Sequence, residues 1–293
     1  MSTRVLDDAT VGTVRIGDLT VRRLGFGAMR ISGALDANGV RDRDTARQLV
    51  RRVVDRGVNL IDTANIYGYG ESEEIIAEAL YPYPKDLVIT TKAGFKPAKI
   101  LKGHATLPPK GDPAHIIEEC EKSLRRLRVD CIDLYQVHTP DPNHAYDDTL
   151  GAFVQLQQQG KVRHIGISNV SVMQLTLALE LFPVASVENR YNAADRGSDR
   201  VLAECEARGI AFMPWAPVIL GTPKVGAVVD SIAAAHGATA QQVSLQWLLH
   251  RSPVMLPIPG TSQLAHADEN IDAGWLALST DELALIDGTV GPA

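Results

Sequence analysis

The chain has 293 residues, 45% of them hydrophobic and 22% charged, ordinary values for a globular protein with a sizeable core. A formal net charge of −6 disfavours a nucleic-acid partner, whose phosphates want a basic face, and leaves room for a local basic pocket around a small anionic cofactor. No stretch approaches the roughly 18 uninterrupted apolar residues of a membrane helix, and Met1 to Thr10 lacks the apolar segment of a signal peptide, so no membrane partner and a cytoplasmic address are expected.

Val11 to Ile16 and Leu19 to Leu24 flank Gly17-Asp18, a two-residue hairpin signal. Leu24 to Gly27 reads as the first core strand and runs into the turn Gly27-Ala28-Met29. After a polar loop, Ala46, Leu49, Val50 and Val53 fall on one helical face, with Asp44 as N-cap and Gly57 as the stop. Leu60 to Asp62 is the second strand. Ser72 caps a short helix through Leu80, and Leu87 to Thr91 is the third strand, ending at Lys92. A long loop follows, Ala93 to Lys110, and loops of this length are usually functional or mobile.

Asp112-Pro113 opens a helix whose Ile116, Ile117, Cys120, Leu124 and Leu127 share a face. Cys131 to Gln136 is the fourth strand, ending in Val137-His138. The helix Asp147 to Gln159 stops at Gly160, and His164 to Ser168 is the fifth strand. A helix from Val172 to Leu181, capped by Ser171, leads to the sixth strand, Val184 to Asn189. Arg200 to Arg208 is helical and Ala211 to Met213 is the seventh strand. Two helices, about Val225 to Ala235 and Ala240 to His250, precede an eighth strand at Val254 to Pro257. A helix near His266 to Ala273 and another from Thr280, where Ser279 and Glu282 form a capping box, close the chain.

Eight short apolar strands, each followed by a helical pattern, predict parallel βαβ units throughout. The strands are continuous apolar runs, as expected when both faces are buried. That count predicts an α/β fold, a closed (β/α)8 TIM barrel forming one domain over residues 1–293. A doubly wound open sheet would need Gly-x-Gly-x-x-Gly after its first strand, whereas Gly25-Phe26-Gly27 continues as Ala28-Met29-Arg30. The three cysteines, Cys120, Cys131 and Cys205, are odd in number and widely spaced, which fits reduced thiols better than a disulfide framework or a zinc site.

Chemistry concentrates at the C-terminal ends of neighbouring strands, where a barrel carries its active site. Asp62 ends the second strand, Tyr67 follows on a Gly-rich turn, Lys92 ends the third strand and His138 the fourth. Taken singly, each has a plain structural reading: Asp62 as a helix cap, Asp62 with Lys92 as a salt bridge, Tyr67 and His138 as packing residues. Together they suit acid catalysis. A phenol with an ordinary pKa of about 10 is a poor acid near neutrality, and a neighbouring ammonium is expected to lower it. Asp62 would hold Lys92 charged and oriented, and a neutral His138 would polarise a carbonyl beside the phenol.

Asp62-Thr63-Ala64 with Tyr67-Gly68, the lysine closing Ile89-Thr90-Thr91-Lys92, Asp133-Leu134-Tyr135-Gln136-Val137-His138, and Gly160-Lys161-Val162-Arg163-His164-Ile165-Gly166-Ile167-Ser168-Asn169 together resemble the aldo-keto reductases. The resemblance covers nearly the whole chain, from the opening hairpin, which in that family plugs the barrel's bottom, to Asn270. It implies NAD(P)H-dependent reduction of an aldehyde or ketone without a metal, with Tyr67 protonating the carbonyl oxygen. It further implies that Asp62 and Lys92 tune Tyr67, that His138 orients the carbonyl, and that Ser168, Asn169 and Glu188 meet the nicotinamide amide. Trp215 would stack on the nicotinamide ring, with Ala216 and Pro217 beside it and Gly27, Ala28 and Met29 across the mouth. Gly260, Thr261, Ser262, His266 and Asn270 would hold the adenosine ribose phosphate.

Two departures stand out. Glu188 occupies a position where the family more often has Gln, and a carboxylate accepts from an amide but cannot donate to it. Gly260 and His266 lie where strongly NADPH-preferring members often place Lys and Arg, so the preference for NADPH over NADH is expected to be moderate.

Two other functions compete. One is a nucleotide-binding sensor or regulator on the same fold, against which the retention of all four polar residues argues. The other is a metal-dependent hydrolase using Asp62 and His138, against which Lys92 argues by repelling a cation. Specificity would sit on Met29 to Arg43, Ala93 to Lys110 and Thr139 to Tyr146. With little chain after the last helix to cap the pocket, an open site with loose preference for small or aromatic carbonyls is expected, pyridoxal among them.

Overall fold

A computed structural model describes residues 4–33, 42–97, 99–101, 104–218 and 221–290. A short helix α1 (Asp8–Val11) precedes the hairpin β1 (Thr13–Ile16) and β2 (Leu19–Arg22), paired through Ile16 and Leu19 around Gly17-Asp18. The succession β3 (Phe26–Gly27), α2 (Arg43–Asp55), β4 (Leu60–Asp62), α3 (Glu71–Leu80) and β5 (Val88–Ala93) then begins the barrel. A two-stranded antiparallel excursion, β6 (Lys99–Leu101) and β7 (His104–Thr106), occupies what the sequence reads as plain loop. The wall continues through α4 (Pro113–Leu127), β8 (Ile132–Val137), α5 (Tyr146–Gln158), β9 (Val162–Ser168), α6 (Val172–Leu181), β10 (Val184–Glu188), α7 (Asp199–Arg208) and β11 (Ala211–Phe212). Four helices complete the chain: α8 (Pro223–His236), α9 (Ala240–Arg251), α10 (Leu264–Asp272) and α11 (Thr280–Asp287).

Seven parallel strands pair in the order β3, β4, β5, β8, β9, β10, β11. The predicted eighth strand is not a regular one, yet its backbone closes the ring. Phe212 N donates to Val254 O and Leu256 N to Phe212 O, while Gly25 N donates to Pro257 O and Gly27 N to Pro259 O. Residues 254–259 thus join β11 to β3, and the fold is a (β/α)8 barrel with an N-terminal hairpin. The proline-rich sequence Pro257-Ile258-Pro259 lacks two of the N–H donors that a full ladder needs, which accounts for the irregularity.

The hairpin lies at the end away from the predicted site. Arg22 N donates to the side chain of Asn59, just before β4, whereas Asp62 stands at the strand's other end. All six residues of β5 are buried, as a wall covered by helices on one side and filled by side chains on the other requires. Each fully buried Leu or Ile in such a wall stabilises the fold by about 1.5–3 kcal/mol.

Local signals hold with two corrections. The cap of α2 is Asp42, whose carboxylate accepts from the N–H groups of Asp44 and Thr45 at 3.0 and 2.9 Å. Ser72 lies inside α3, which starts at Glu71, and its hydroxyl is buried between Thr63 Oγ1 and Ala28 O. Gly57 is the expected stop of α2: its φ is +90°, and a Cβ there would lie 2.2 Å from Leu6 O. Gly57→Ala should therefore cost about 2–3 kcal/mol in a urea unfolding curve, with the turnover of the folded fraction preserved. An unchanged midpoint would show that Leu6 yields freely.

Candidate active site

The strand register sets the site. Gly27 pairs with Asp62 and Asp62 with Thr90, so the carboxylate sits between the first and third walls. Two residues further along β5, Lys92 pairs with Gln136, and Gln136 with Gly166. Alternation along a strand carries the side chains of Thr90 and Lys92, and of Gln136 and His138, to one face. Asp62, Lys92 and Glu188 are 2%, 0% and 3% exposed, so three charges are withdrawn from water together.

Their contacts are short. Lys92 Nζ donates to Asp62 Oδ2 at 2.5 Å, to Asp62 Oδ1 at 2.6 Å and to Thr63 O at 3.0 Å, and lies 3.2 Å from Glu188 Oε2. Gln136 Nε2 donates to Glu188 Oε2 at 2.8 Å and to Thr90 Oγ1 at 3.1 Å, with Asp62 Oδ1 at 3.5 Å. Ser186 Oγ donates to Gln136 Oε1 at 2.9 Å and fixes the amide's direction. Gly166 makes this fit: a Cβ there would stand 2.3 Å from Ser186 Oγ and 2.8 Å from Gln136 Oε1.

Tyr67, half-buried on a 3-10 turn after β4, presents its ring 5.5 Å from Lys92 Nζ. The same ring meets His138 edge-on, with centroids 5.9 Å apart and an interplanar angle of 83°. Phe95 packs against the other side of the imidazole at 4.7 Å. All four residues predicted to act together are thus gathered at one place.

Electrostatics revise one expectation. Burial alone would draw Lys92 down, but Asp62 and Glu188 outweigh it and hold the ammonium above its ordinary value. Asp62 is pushed well above 3.8, by burial first and by Glu188 second, against the pull of Lys92. The two directions are reconciled by counting charges, since two carboxylates face one ammonium. Tyr67 is raised above 10, not lowered: loss of water outweighs the attraction of Lys92, and Asp62 and Glu188 add to the rise. His138 is held well below 6.5, by burial and then by the charge of Lys92, and is neutral near neutrality.

Ser168 and Asn169 follow at the end of β9. Ser168 Oγ donates to Glu188 O at 2.6 Å. Asn169, with φ +58°, donates from Nδ2 to His138 O at 2.9 Å and accepts from Trp215 Nε1 at 2.9 Å. One amide therefore ties the indole to the backbone of His138, and Oδ1 retains a second lone pair. Arg190 lies 5.6 Å from the centroid of the Trp215 ring and pairs with Asp195 at 3.0 Å. Ala216 has a φ of +54°, and Pro217 is buried beside it.

The remaining predicted residues form a second group across the mouth. Gly27 and Gly260 lie backbone to backbone: a Cβ on Gly27 would be 2.7 Å from Ile258 O, and one on Gly260 would be 2.5 Å from Gly27 O. Ala28 is buried and Met29 exposed. Thr261, buried, accepts from Gln263 N at 3.1 Å, and Ser262 is half-buried. The N-terminus of α10 has no side-chain cap, and an uncapped helix start next to Thr261 and Ser262 is the kind of end that suits an anion. His266 is exposed on its first turn and Asn270 is buried on its second. A tight glycine cradle, a tethered indole and an uncapped helix end suit a flat ring at one side of the mouth and a phosphate at the other. Residues 34–41, 98 and 102–103, part of the predicted specificity loops, lie outside the described residues.

Gln136, Ser186, Gly166 and Phe95 were not singled out from the sequence. Gln136 was within reach, because it stands two residues before His138 on the same strand face. Ser186 and Gly166 matter only through register, and Phe95 through a loop.

A family model described as the aldo/keto reductase family matches residues 23–290. The chain is 39% identical over 283 residues to an uncharacterised oxidoreductase of Schizosaccharomyces pombe, covering 96% of this chain and 91% of that one. It is 38% identical over 283 residues to a pyridoxine 4-dehydrogenase of Escherichia coli, covering 94% and 97%. Among solved structures, an aldo/keto reductase from Klebsiella pneumoniae in complex with NADP and acetate superposes with a TM-score of 0.79 at 26% identity, covering 94% of each chain.

Proposed function

Since the chain belongs to the aldo/keto reductase family, we propose that it reduces small and aromatic aldehydes or ketones to alcohols with NADPH as cofactor, Tyr67 being the proton donor. The observation that carries this reading is the meeting of Tyr67, His138 and the Lys92–Asp62 pair at one barrel mouth. The NADP complex of the Klebsiella relative supports the cofactor, and the pyridoxine 4-dehydrogenase supports pyridoxal as a substrate to try first.

When bound, the cofactor supplies hydride from its nicotinamide. Trp215, Ser168 and Asn169 would hold that ring, with the glycine cradle opposite and the uncapped start of α10 receiving the ribose phosphate. His138, neutral, directs a ring N–H at the carbonyl oxygen and leaves the proton transfer to Tyr67. Because Tyr67 stays a full phenol throughout the neutral range, it is always loaded. Lys92 then stabilises the phenolate left behind, and Asp62 keeps the ammonium in place. Asp62 in direct contact with Lys92 is poorly disposed to ligate a metal.

The test is NADPH and NADH absorbance against a panel of aldehydes, ketones and pyridoxal. Oxidation of NADPH by several carbonyls, faster than of NADH and undiminished by a chelator, is expected. Cofactor binding with no carbonyl above the blank would replace the reductase reading by a nucleotide sensor. Activity confined to one bulky substrate would overturn the open pocket.

A further inference from the structure

We propose that Glu188 and Asp62 form a proton-sharing pair around Lys92, and that this pair restores, through Lys92, the proton that Tyr67 gives to the carbonyl oxygen. The consequence for turnover rests on Tyr67 being the donor; the pair itself does not.

The geometry is one of two acids converging on the same donors. Both carboxylates reach Lys92 Nζ, at 2.5 and 3.2 Å, and both face the Gln136 amide, at 3.5 and 2.8 Å. Thr63 O takes a further Lys92 hydrogen. Among the described residues, the charged groups buried here are Asp62 from β4, Lys92 from β5 and Glu188 from β10, while Gln136 from β8, Ser186 and Thr90 are neutral. Tyr67 and His138 are the other titratable groups facing them among the described residues, and each is held in its neutral form. With both carboxylates ionised, a full negative charge would be buried without a partner; taking up one proton removes it. The rise of the Asp62 carboxyl, with Glu188 among its causes, agrees.

The proton balance closes without any further reactant. Tyr67 passes its O–H proton to the substrate oxygen and becomes phenolate. Lys92, whose hydrogen bonding is among the effects that favour phenolate, gives it an N–H proton. The carboxylic acid proton of the pair moves to the lysine amine and re-forms the ammonium, leaving two carboxylates. One proton from water entering the mouth after product release reloads the pair. Tyr67 is thereby re-protonated before solvent returns.

Infrared difference spectroscopy reads the proton directly and needs no turnover. In mildly acidic buffer the wild-type protein minus Glu188→Gln should show a carboxylic acid C=O band that shifts in D2O, and wild type minus Asp62→Asn should show the same band. Either substitution leaves one carboxylate on one ammonium, with no acid to protonate. Persistence of the band in both variants, or its absence from wild type, would overturn the pair even if carbonyl reduction had already been demonstrated. In turnover, wild-type kcat should fall by about tenfold through one ionisation that Glu188→Gln lacks, with carbonyl KM within about threefold. Superimposable pH profiles, or an effect of Glu188→Gln confined to cofactor Kd, would overturn the relay and return Glu188 to a cofactor-binding role.

Discussion

Tyr67→Phe should lower kcat/KM for carbonyl reduction by about 10²–10⁴-fold, equivalent to about 3–5 kcal/mol of barrier, while the Kd for NADPH stays within about threefold. The substitution removes one oxygen and leaves the ring. Its edge contact with His138 at 5.9 Å and its position by Lys92 at 5.5 Å both survive, so the mouth keeps its shape. With Tyr67 as the proposed donor, the step lost would be proton delivery, since His138 carries no proton to spare near neutrality and would have to give up its only N–H hydrogen. Steady-state rates with pyridoxal and a small aldehyde, together with fluorescence titration of the cofactor, separate the two effects. Equal activity in the variant would reject Tyr67 as donor. A parallel loss of cofactor binding would show instead that the phenol supports the nicotinamide site.

Several of these residues could be read before any coordinates because of a simple contrast. Asp62, Lys92 and His138 each stand where a strand predicted from the sequence ends, and although each alone has a plain structural reading, their coincidence at neighbouring strand ends points to a shared site. Both the hairpin and the stop at Gly57 follow from local chemistry, one from Gly17-Asp18 and the other from a backbone that needs positive φ. What escaped depends on register, and for Glu188, a residue already singled out, it was the contact with Lys92. Glu188 sits 96 positions beyond Lys92 in the chain, and only the order β5, β8, β9, β10 brings its carboxylate within 3.2 Å of the ammonium. Gly166 looks unremarkable until Gln136 and Ser186 are seen to need its missing Cβ. The direction of the Tyr67 shift failed for the same reason. One ammonium beside a phenol predicts a fall, and the burial and two carboxylates that reverse it become visible only when the strands are assembled. The irregular closure at residues 254–259 shows the opposite limit: its apolar run reads as a strand, and its prolines forbid the complete ladder.

Lys92→Met should be the most damaging single change for stability, costing about 3–5 kcal/mol near neutrality and removing most carbonyl reduction. Methionine fills much of the lysine's volume, so the loss is one of charge: Asp62 and Glu188 would face each other without a cation. Acid should repair it. A carboxyl whose folded-state pKa lies above its unfolded value of 3.8, as that of Asp62 does, holds its proton more tightly when folded. The associated stability is complete below 3.8 and is lost as pH rises toward the folded value, by at most about 1.4 kcal/mol per pH unit for each proton. Removing the one counter-charge enlarges that rise, so the deficit of Lys92→Met relative to wild type should grow from acid to neutral pH. Lys92 itself has a folded value above 10.5, so its own contribution persists until pH exceeds 10.5 and does not mask the trend. Urea unfolding of both proteins across the acid-to-neutral range measures the gap. A deficit independent of pH would assign the loss to packing and remove the buried charge count as its cause. Adding Glu188→Gln to Lys92→Met should recover part of the lost stability at neutral pH, because one of the two unpaired charges disappears with it.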